Sequence, residues 1–409
     1  MERVTLPAAA WRDRAELQDL CRVLRADAGD TRVVGGAVRD TLLGCAVSDI
    51  DLATRQAPED VLAALQRARI KAVPTGLAHG TITAVLPDGA VEVTTLRRDV
   101  STDGRHAIVA FTDDWREDAA RRDFTMNALY ADPATGEIFD YFGGIDDLKA
   151  GRVRFIGDPL QRIAEDHLRI LRFFRFHARF GDVPDVDGLA ACTARANDLM
   201  ALSRERIAAE VLKLLVARGA VPTLELMIAQ NILLPVLPEI TAAGVAKMAK
   251  VADHEAEADL APHPLRRLAA LLPHDPSVGE IIANRLKFSN VQRRRLISAL
   301  SGPAGTPGGT PQTLAYRLGP DGALDRWLLT TSGVEAVEGA RAIVAFAIPV
   351  FPLTGGALVQ RGVGKGPDVA RLLRQVEDSW VAEGFPNAVR TAQLADHAVD
   401  QWRRSTSIA

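Results

Sequence analysis

Apolar periodicity changes character once along this chain, near Gly151, and that change limits what the chain can fold into. Ahead of it, short β-type runs alternate with helical stretches. Leu17, Leu20, Cys21 and Leu24 recur at helical spacing, and Arg32 to Val34 predicts a strand running into Gly35-Gly36 and a helix. Ile50 to Ala53 predicts a second strand, and Pro58 to Arg69 a helix with proline at its start. Thr81 to Leu86 and Ala90 to Leu96 predict a hairpin around Pro87-Asp88-Gly89. Beyond Gly151 helical spacing takes over, as in Ile207, Val211, Leu214 and Leu215, or Leu265, Leu268, Leu271 and Leu272. Ser301 to Thr313 holds four glycines and three prolines and reads as a linker. A length of 409 residues allows roughly two to three folding units. The expectation is a mixed α and β unit followed by helical ones.

Charge and cysteine usage exclude several classes. Lys and Arg number 49 against 52 Asp and Glu, a net charge of −3, so any nucleic-acid surface must be local. One stretch qualifies: Gly151 to Gly181 carries seven arginines (152, 154, 162, 169, 172, 175 and 179) against Asp158, Glu165 and Asp166. Cys21, Cys45 and Cys192 are too far apart for a CxxC zinc motif and odd in number, which fits a reducing compartment. No basic-then-apolar pattern opens the chain, and the apolar run Ala342 to Leu353 is broken by Pro349 and Pro352. A cytoplasmic location is expected.

Chemistry concentrates at a few places. Asp49-Ile50-Asp51 sets two carboxylates two residues apart in a strand-like stretch, and period two points both at one face. Two hard oxygen donors suit Mg²⁺, which takes its remaining ligands from water and a triphosphate; the same pattern also describes a solvated strand edge. Upstream, Gly35-Gly36 ends a strand and opens a helix, where exposed backbone N–H groups can hold a phosphate, and Arg39 adds a cation. Glu92 alternates with Val91 and Val93, so it is either a third acid on the carboxylate face or an exposed strand residue. Asp166 and Arg169 stand three residues apart, on one face of a predicted helix. Acceptor beside donor matches the amino and ring-nitrogen edge of cytosine and of adenine, whereas guanine and uracil reverse that order. The competing reading is an exposed intrahelical ion pair. Phe173, Phe174 and Phe176 read as core. The polar segment between Leu96 and Arg121, with Asp99, Ser101, Asp103, Gly104, Arg105 and His106, reads as a surface loop. His274-Asp275 is the one adjacent His-Asp pair and has no partner set, so no second metal centre is expected.

Gly35-Gly36-Ala37-Val38-Arg39-Asp40 followed by Asp49-Ile50-Asp51 resembles the head of class II CCA-adding enzymes and the related bacterial poly(A) polymerases. Arg121-Arg122-Asp123-Phe124-Thr125-Met126-Asn127-Ala128-Leu129 is similar to that family's ribose-recognition segment. Glu165-Asp166-His167-Leu168-Arg169 is similar to its base-recognition segment, and Glu205-Arg206 with Glu210 to the helix-stabilising part of its neck. Phe351-Pro352-Leu353-Thr354-Gly355 and Gly366-Pro367 resemble tail segments, with Ala357 where an acid is expected. The resemblance implies an α+β nucleotidyltransferase head with a small mixed sheet (1–150) and an all-α neck (151–218), body (219–300) and tail (301–409). It implies CCA addition to tRNA from CTP and ATP, with Mg²⁺ on Asp49 and Asp51, and Glu92 as a further catalytic candidate. Gly35, Gly36 and Arg39 would meet triphosphate, Arg122, Asp123 and Asn127 the ribose side, and Asp166 with Arg169 the base. Arg172 and Arg175 would also contact nucleotide, Arg175 at phosphate or RNA, because helix geometry turns it away from Asp166. In the family a loop like that between Leu96 and Arg121 accompanies the switch from C to A. A poly(A) polymerase, a CC-only or A-only enzyme and a silent RNA-binding protein share these motifs.

Overall fold

A computed structural model describes residues 4–102, 107–302 and 308–406. They form two compact units, Met1–Ile240 and Thr241–Ala409. The first begins with α1 (Ala15–Val23), β1 (Thr31–Val34), α2 (Gly36–Leu42), β2 (Ile50–Thr54) and α3 (Pro58–Arg67). Next come β3 (Lys71–Gly76), β4 (Thr81–Leu86), β5 (Gly89–Thr95), β6 (Arg97–Thr102), β7 (Ala107–Phe111) and α4 (Trp115–Ala120). Two short strands, β8 (Leu129–Ala131) and β9 (Ile138–Asp140), and α5 (Gly144–Lys149) complete the mixed region. Seven strands make one sheet in the order β3-β4-β5-β2-β1-β8-β9, antiparallel except where β2 runs parallel to β5.

Apolar clusters pack on both faces of this sheet, although its central strands also carry Arg32, Asp51, Glu92 and four threonines. Val33, Leu52, Val91 and Val93 face α1 and α3, packing with Leu17, Leu20, Val61 and Leu65. Val34 and Ala53 face the other way, with Tyr130 and the Trp115 and Ala119 side of α4. Alternation therefore assigns Asp51 and Glu92 to that second face.

The segment after Leu96 departs from the loop expected of it. β6 and β7 pair as a separate two-stranded ribbon, with a register shift between Asp99 and Ser101, and α4 follows. The polar run from Asp99 to His106 drew the reading to a loop, although Ala107 to Phe111 is an apolar run of strand length. Residues 103–106 lie outside the described residues, and with them the reading of His106. β3 was also unanticipated; it is an edge strand carrying Pro74.

After the sheet the unit is helical: α6 (Pro159–Glu165), α7 (Leu168–Phe180), α8 (Val186–Ala194), α9 (Arg204–Leu215) and α10 (Ala220–Ala229). Asp158 caps α6, its carboxylate accepting the Gln161 N–H at 2.7 Å. Phe173, Phe174 and Phe176 of α7 are buried, as expected.

The second unit contains nine helices among its described residues, from Ala242–Glu257 to Ala388–Thr406. Its interior holds two buried carboxylates: Glu255 pairs with Arg266 and Arg267, and Asp325 with Arg266 and Arg295. Helix Pro311–Thr330 is broken at Gly319 (φ 73°) ahead of Pro320. Part of the Ser301 to Thr313 linker, residues 303–307, lies outside the described residues. The division after Ile240 falls inside the segment 219–300. No described helix is long and apolar enough to cross a membrane.

Candidate active site

Two adjacent strands bring Asp51 and Glu92 together, with β1 beside them. Val34 of β1 stands opposite Asp51 of β2, and Asp51 opposite Glu92 of β5. Glu92 is thus a register neighbour of Asp51 on the same face, as well as exposed. Asp49 departs from the expectation. β2 begins at Ile50, where pairing with β5 begins, so Asp49 lies in irregular chain and the period-two argument reaches only Asp51. Asp49 is exposed, and its Oδ2 accepts the Ser48 hydroxyl at 2.9 Å. It remains near enough to act on Asp51, whose carboxyl is pushed up by burial, then by Glu92 and more weakly by Asp49, against the pull of Arg122. Among the described residues these three acids make no ion pair, and no group of three or more His, Cys, Asp or Glu is placed to hold a metal ion.

Gly35 turns the chain at the end of β1 with φ 72° and ψ −119°, a conformation that L side chains rarely adopt. A Cβ at this position would stand 3.8 Å from an Arg122 guanidinium nitrogen, so the arginine lies over the glycine turn. Arg122 is held there from behind. Its Nε donates to the Tyr130 hydroxyl at 3.1 Å and its Nη2 to Asp118 Oδ2 at 3.2 Å, while Tyr130 donates to the same oxygen at 2.5 Å. The other Asp118 oxygen accepts Arg121 Nε at 2.8 Å and the Arg97 N–H at 3.2 Å. Burial alone would raise the Asp118 carboxyl, but Arg122, Arg121 and Tyr130 outweigh it and hold it at about 2. Sequence reading missed Asp118, although a signal existed. It sits three residues after Trp115 and one before Ala119, on the buried stripe of α4, with arginines at i+3 and i+4.

Arg39 is buried in the head rather than open to a ligand. Its Nε donates to Asp40 at 2.8 Å and its Nη1 to Asn127 Oδ1 at 2.5 Å, and its guanidinium lies 4.4 Å from the Phe180 ring centre. Asn127 Nδ2 donates to Asp123 Oδ1 at 3.0 Å, and Asp123 Oδ2 accepts Arg172 Nε at 2.8 Å. Arg179 reaches Asp40 at 3.3 Å, so the chain Asp40, Arg39, Asn127, Asp123 ties α7 to the sheet region at two points.

Asp166 is not helical. It lies between α6 and α7 in extended backbone (φ −152°, ψ 106°), so Asp166 and Arg169 do not share a helix face as expected. The physical reason is local: an Asp ahead of a helix accepts an orphan N–H, here that of Leu168 at 3.1 Å. Its other oxygen pairs with Arg206 of α9 at 2.8 Å. Arg169 turns instead to Glu165 at 2.6 Å and to the Arg162 carbonyl at 2.7 Å. Arg162 also pairs with Glu165 and donates to the Arg122 carbonyl at 2.8 Å, clamping α6 to the Arg121–Asp123 segment.

The seven arginines are not a free cationic face. Arg152 and Arg154 pair with Asp147, Arg162 and Arg169 with Glu165, Arg172 with Asp123, Arg175 with Glu210, and Arg179 with Asp40. Arg175 meets Glu210 at 2.5 Å, which staples α7 to α9.

A mixed sheet presenting register-matched carboxylates beside a glycine turn, continued by a helical segment, defines a nucleotidyltransferase. Comparison with known proteins agrees. Residues 31–154 match the family described as the poly A polymerase head domain, and 187–243 that described as the probable RNA and SrmB-binding site of polymerase A. Human CCA tRNA nucleotidyltransferase 1, mitochondrial, is 34% identical over 382 residues, 90% of this chain and 87% of the human one. The Bacillus stearothermophilus CCA-adding enzyme, solved with CTP, is 26% identical with a TM-score of 0.70, covering 96% of this chain and 100% of that one. The Thermotoga maritima CCA-adding enzyme, complexed with tRNA, shares the fold at 18% identity and a TM-score of 0.70, covering 98% of this chain and 100% of that one. This chain belongs to the CCA tRNA nucleotidyltransferase family.

Proposed function

We propose that this chain builds or repairs the 3′-terminal CCA of tRNA from CTP and ATP without a nucleic-acid template, releasing pyrophosphate. The observation that carries the reading is the meeting of Asp51 and Glu92 on one sheet face with Arg122 over the Gly35 turn. The 3′ oxygen of the RNA bonds to the α-phosphorus as the bond to pyrophosphate breaks. Arg122, fixed from behind by Asp118 and Tyr130, offers its remaining donors to triphosphate, and Gly35 and Gly36 keep the approach free of side chains. Asp123 and Asn127 set the ribose side, with Arg39 and Arg172 holding both in place rather than touching the phosphates.

The donor chemistry at the carboxylate face fits Mg²⁺. Asp49 and Asp51 are hard oxygen donors with surplus negative charge, and Glu92 adds to it. When bound, the ion supplies positive charge that steadies the triphosphate and makes the attacking hydroxyl a better nucleophile.

Base choice falls to Asp166 and Arg169, the carboxylate accepting the exocyclic amino group of cytosine or adenine and the guanidinium donating to the adjacent ring nitrogen. Each now holds another partner, Arg206 and Glu165 respectively, so nucleotide entry exchanges those pairs for the base edge. We assign residues 1–150 as head, 151–218 as neck, 219–300 as body and 301–409 as tail, the helical parts holding the acceptor arm by shape and phosphate contacts. The compartment proposed is the cytoplasm, in keeping with three free cysteines. Incubating the protein with tRNA lacking CCA and with each labelled triphosphate, singly and together, tests the reading. Addition of C, C and then a single A is expected; long A tracts or no incorporation would overturn it.

A further inference from the structure

Beyond the carboxylate face, the first unit carries a charged surface that the chemistry above does not use. At the C-terminal end of α2 a cleft of about 760 Å³ opens between the Leu43–Cys45 turn and the sides of α7 and α9. Four cations line it, Arg175, Arg179, Lys213 and Arg218, and no acidic side chain does. They are not equally committed. Arg175 is held by Glu210 at 2.5 Å. Arg179 reaches Asp40 only at 3.3 Å with 47% of its side chain exposed, and Arg218 reaches Asp182 only at 3.5 Å across two largely exposed side chains. Lys213 is exposed and has no ion-pair partner among the described residues. The Arg218 pair is exposed and weak, and Asp40, though buried, keeps Arg39 at 2.7 Å when Arg179 turns away, so a phosphate can share both cations without stranding a buried charge.

Position decides which phosphate. The cleft lies at the opposite end of α2 from Gly36, and seven residues at about 1.5 Å each separate the two by roughly 10 Å. One triphosphate lodged at the glycine turn does not fill both places, but a strand with phosphates spaced along it does. Three residues, Ala46 to Ser48, separate Cys45 at the lip of the cleft from Asp49. We propose that this cleft takes the sugar-phosphate backbone of the RNA strand being extended, just upstream of its 3′ end, through Lys213, Arg218 and the free donors of Arg179. The inference rests on the RNA-extending function proposed above.

Two experiments on the full chain test it. In the first, Lys213→Ala with Arg218→Ala is compared with wild type for binding of tRNA lacking CCA across a salt series, and for CTP KM at saturating RNA. Loss of two phosphate contacts lowers the slope of log K against log salt by about 1.5 and weakens binding roughly tenfold at 0.15 M salt. CTP KM stays within twofold. In the second, alkylation of the exposed Cys45 thiol is followed; Cys21 and Cys192 are buried and do not compete. The tRNA slows alkylation and CTP does not. Unchanged RNA affinity and slope, or a raised CTP KM with RNA affinity intact, overturns the inference, as does Cys45 reactivity that RNA leaves untouched. Wild type that binds and is protected by RNA but adds no nucleotide would refute the proposed function while sustaining the cleft.

Discussion

Asp118→Asn tests how firmly the arginine over the glycine turn is held. The wild-type carboxylate is 1% exposed and accepts from two guanidinia, a phenol and a backbone N–H. The amide keeps the shape but removes the charge and turns one acceptor into a donor aimed at donors. Breaking a buried pair in this way costs about 3–5 kcal/mol at pH 7. The acid limb gives an independent figure. A carboxyl held at about 2, against an ordinary value of 3.8, contributes stability that is complete above pH 4 and is lost as pH falls through 2. The loss amounts to about 1 kcal/mol by pH 3 and about 2 kcal/mol by pH 2. Urea unfolding of both proteins at pH 7, 3 and 2 reads the gap between them, in which the shared carboxylates cancel. The gap opens at about 3–5 kcal/mol and narrows by about 2 kcal/mol on acidification. A gap below about 1 kcal/mol at pH 7, or one that does not narrow, refutes the assignment of Asp118 as the anchor of Arg122.

Three further outcomes follow from the geometry. Asp49→Ala abolishes nucleotide transfer while RNA affinity is retained, measured by labelled CTP incorporation beside a filter-binding curve; appreciable turnover in Mg²⁺ would contradict the metal role. Arg172→Ala strands the buried Asp123 carboxylate, which burial opposes and Arg172 chiefly stabilises, and lowers stability by about 3–5 kcal/mol; Arg172→Lys recovers part of the loss. Gly35→Ala makes ordinary van der Waals contact, 3.5 Å from the Asn127 carbonyl oxygen and 3.8 Å from Arg122, so its cost of about 1–3 kcal/mol comes from φ 72° alone; wild-type stability in that variant would show that the turn tolerates a side chain.

Periodicity and turn chemistry made the central strands readable. Val33-Val34, Ile50 to Ala53 and the hairpin around Asp88-Gly89 are short, strongly patterned and pinned by glycine or proline. The ribbon after Leu96 was hidden because the polar run Asp99 to His106 outweighed the apolar run Ala107 to Phe111 that pairs with β6. At the site, spacing correctly joined Glu92 to Asp51 as a possibility, since strand alternation survives into three dimensions. Spacing failed at Asp166 because helical geometry was extended across a residue in extended backbone, whose side chain accepts the first N–H of the next helix. It also overstated the cationic face of α7. A list of arginines along one segment is silent about Asp40, Asp123 and Glu210, which come from distant chain and claim three of them.

Selection of the monomer by amino-acid side chains is the proposition on which the proposed function turns. Its most direct test is the ratio of kcat/KM for CTP and ATP to that for UTP and GTP, in wild type and in Asp166→Ala. A lost bidentate base contact lowers discrimination by about 1–3 kcal/mol, roughly fivefold to 150-fold, with RNA affinity little changed. Discrimination equal to that of wild type would contradict the account.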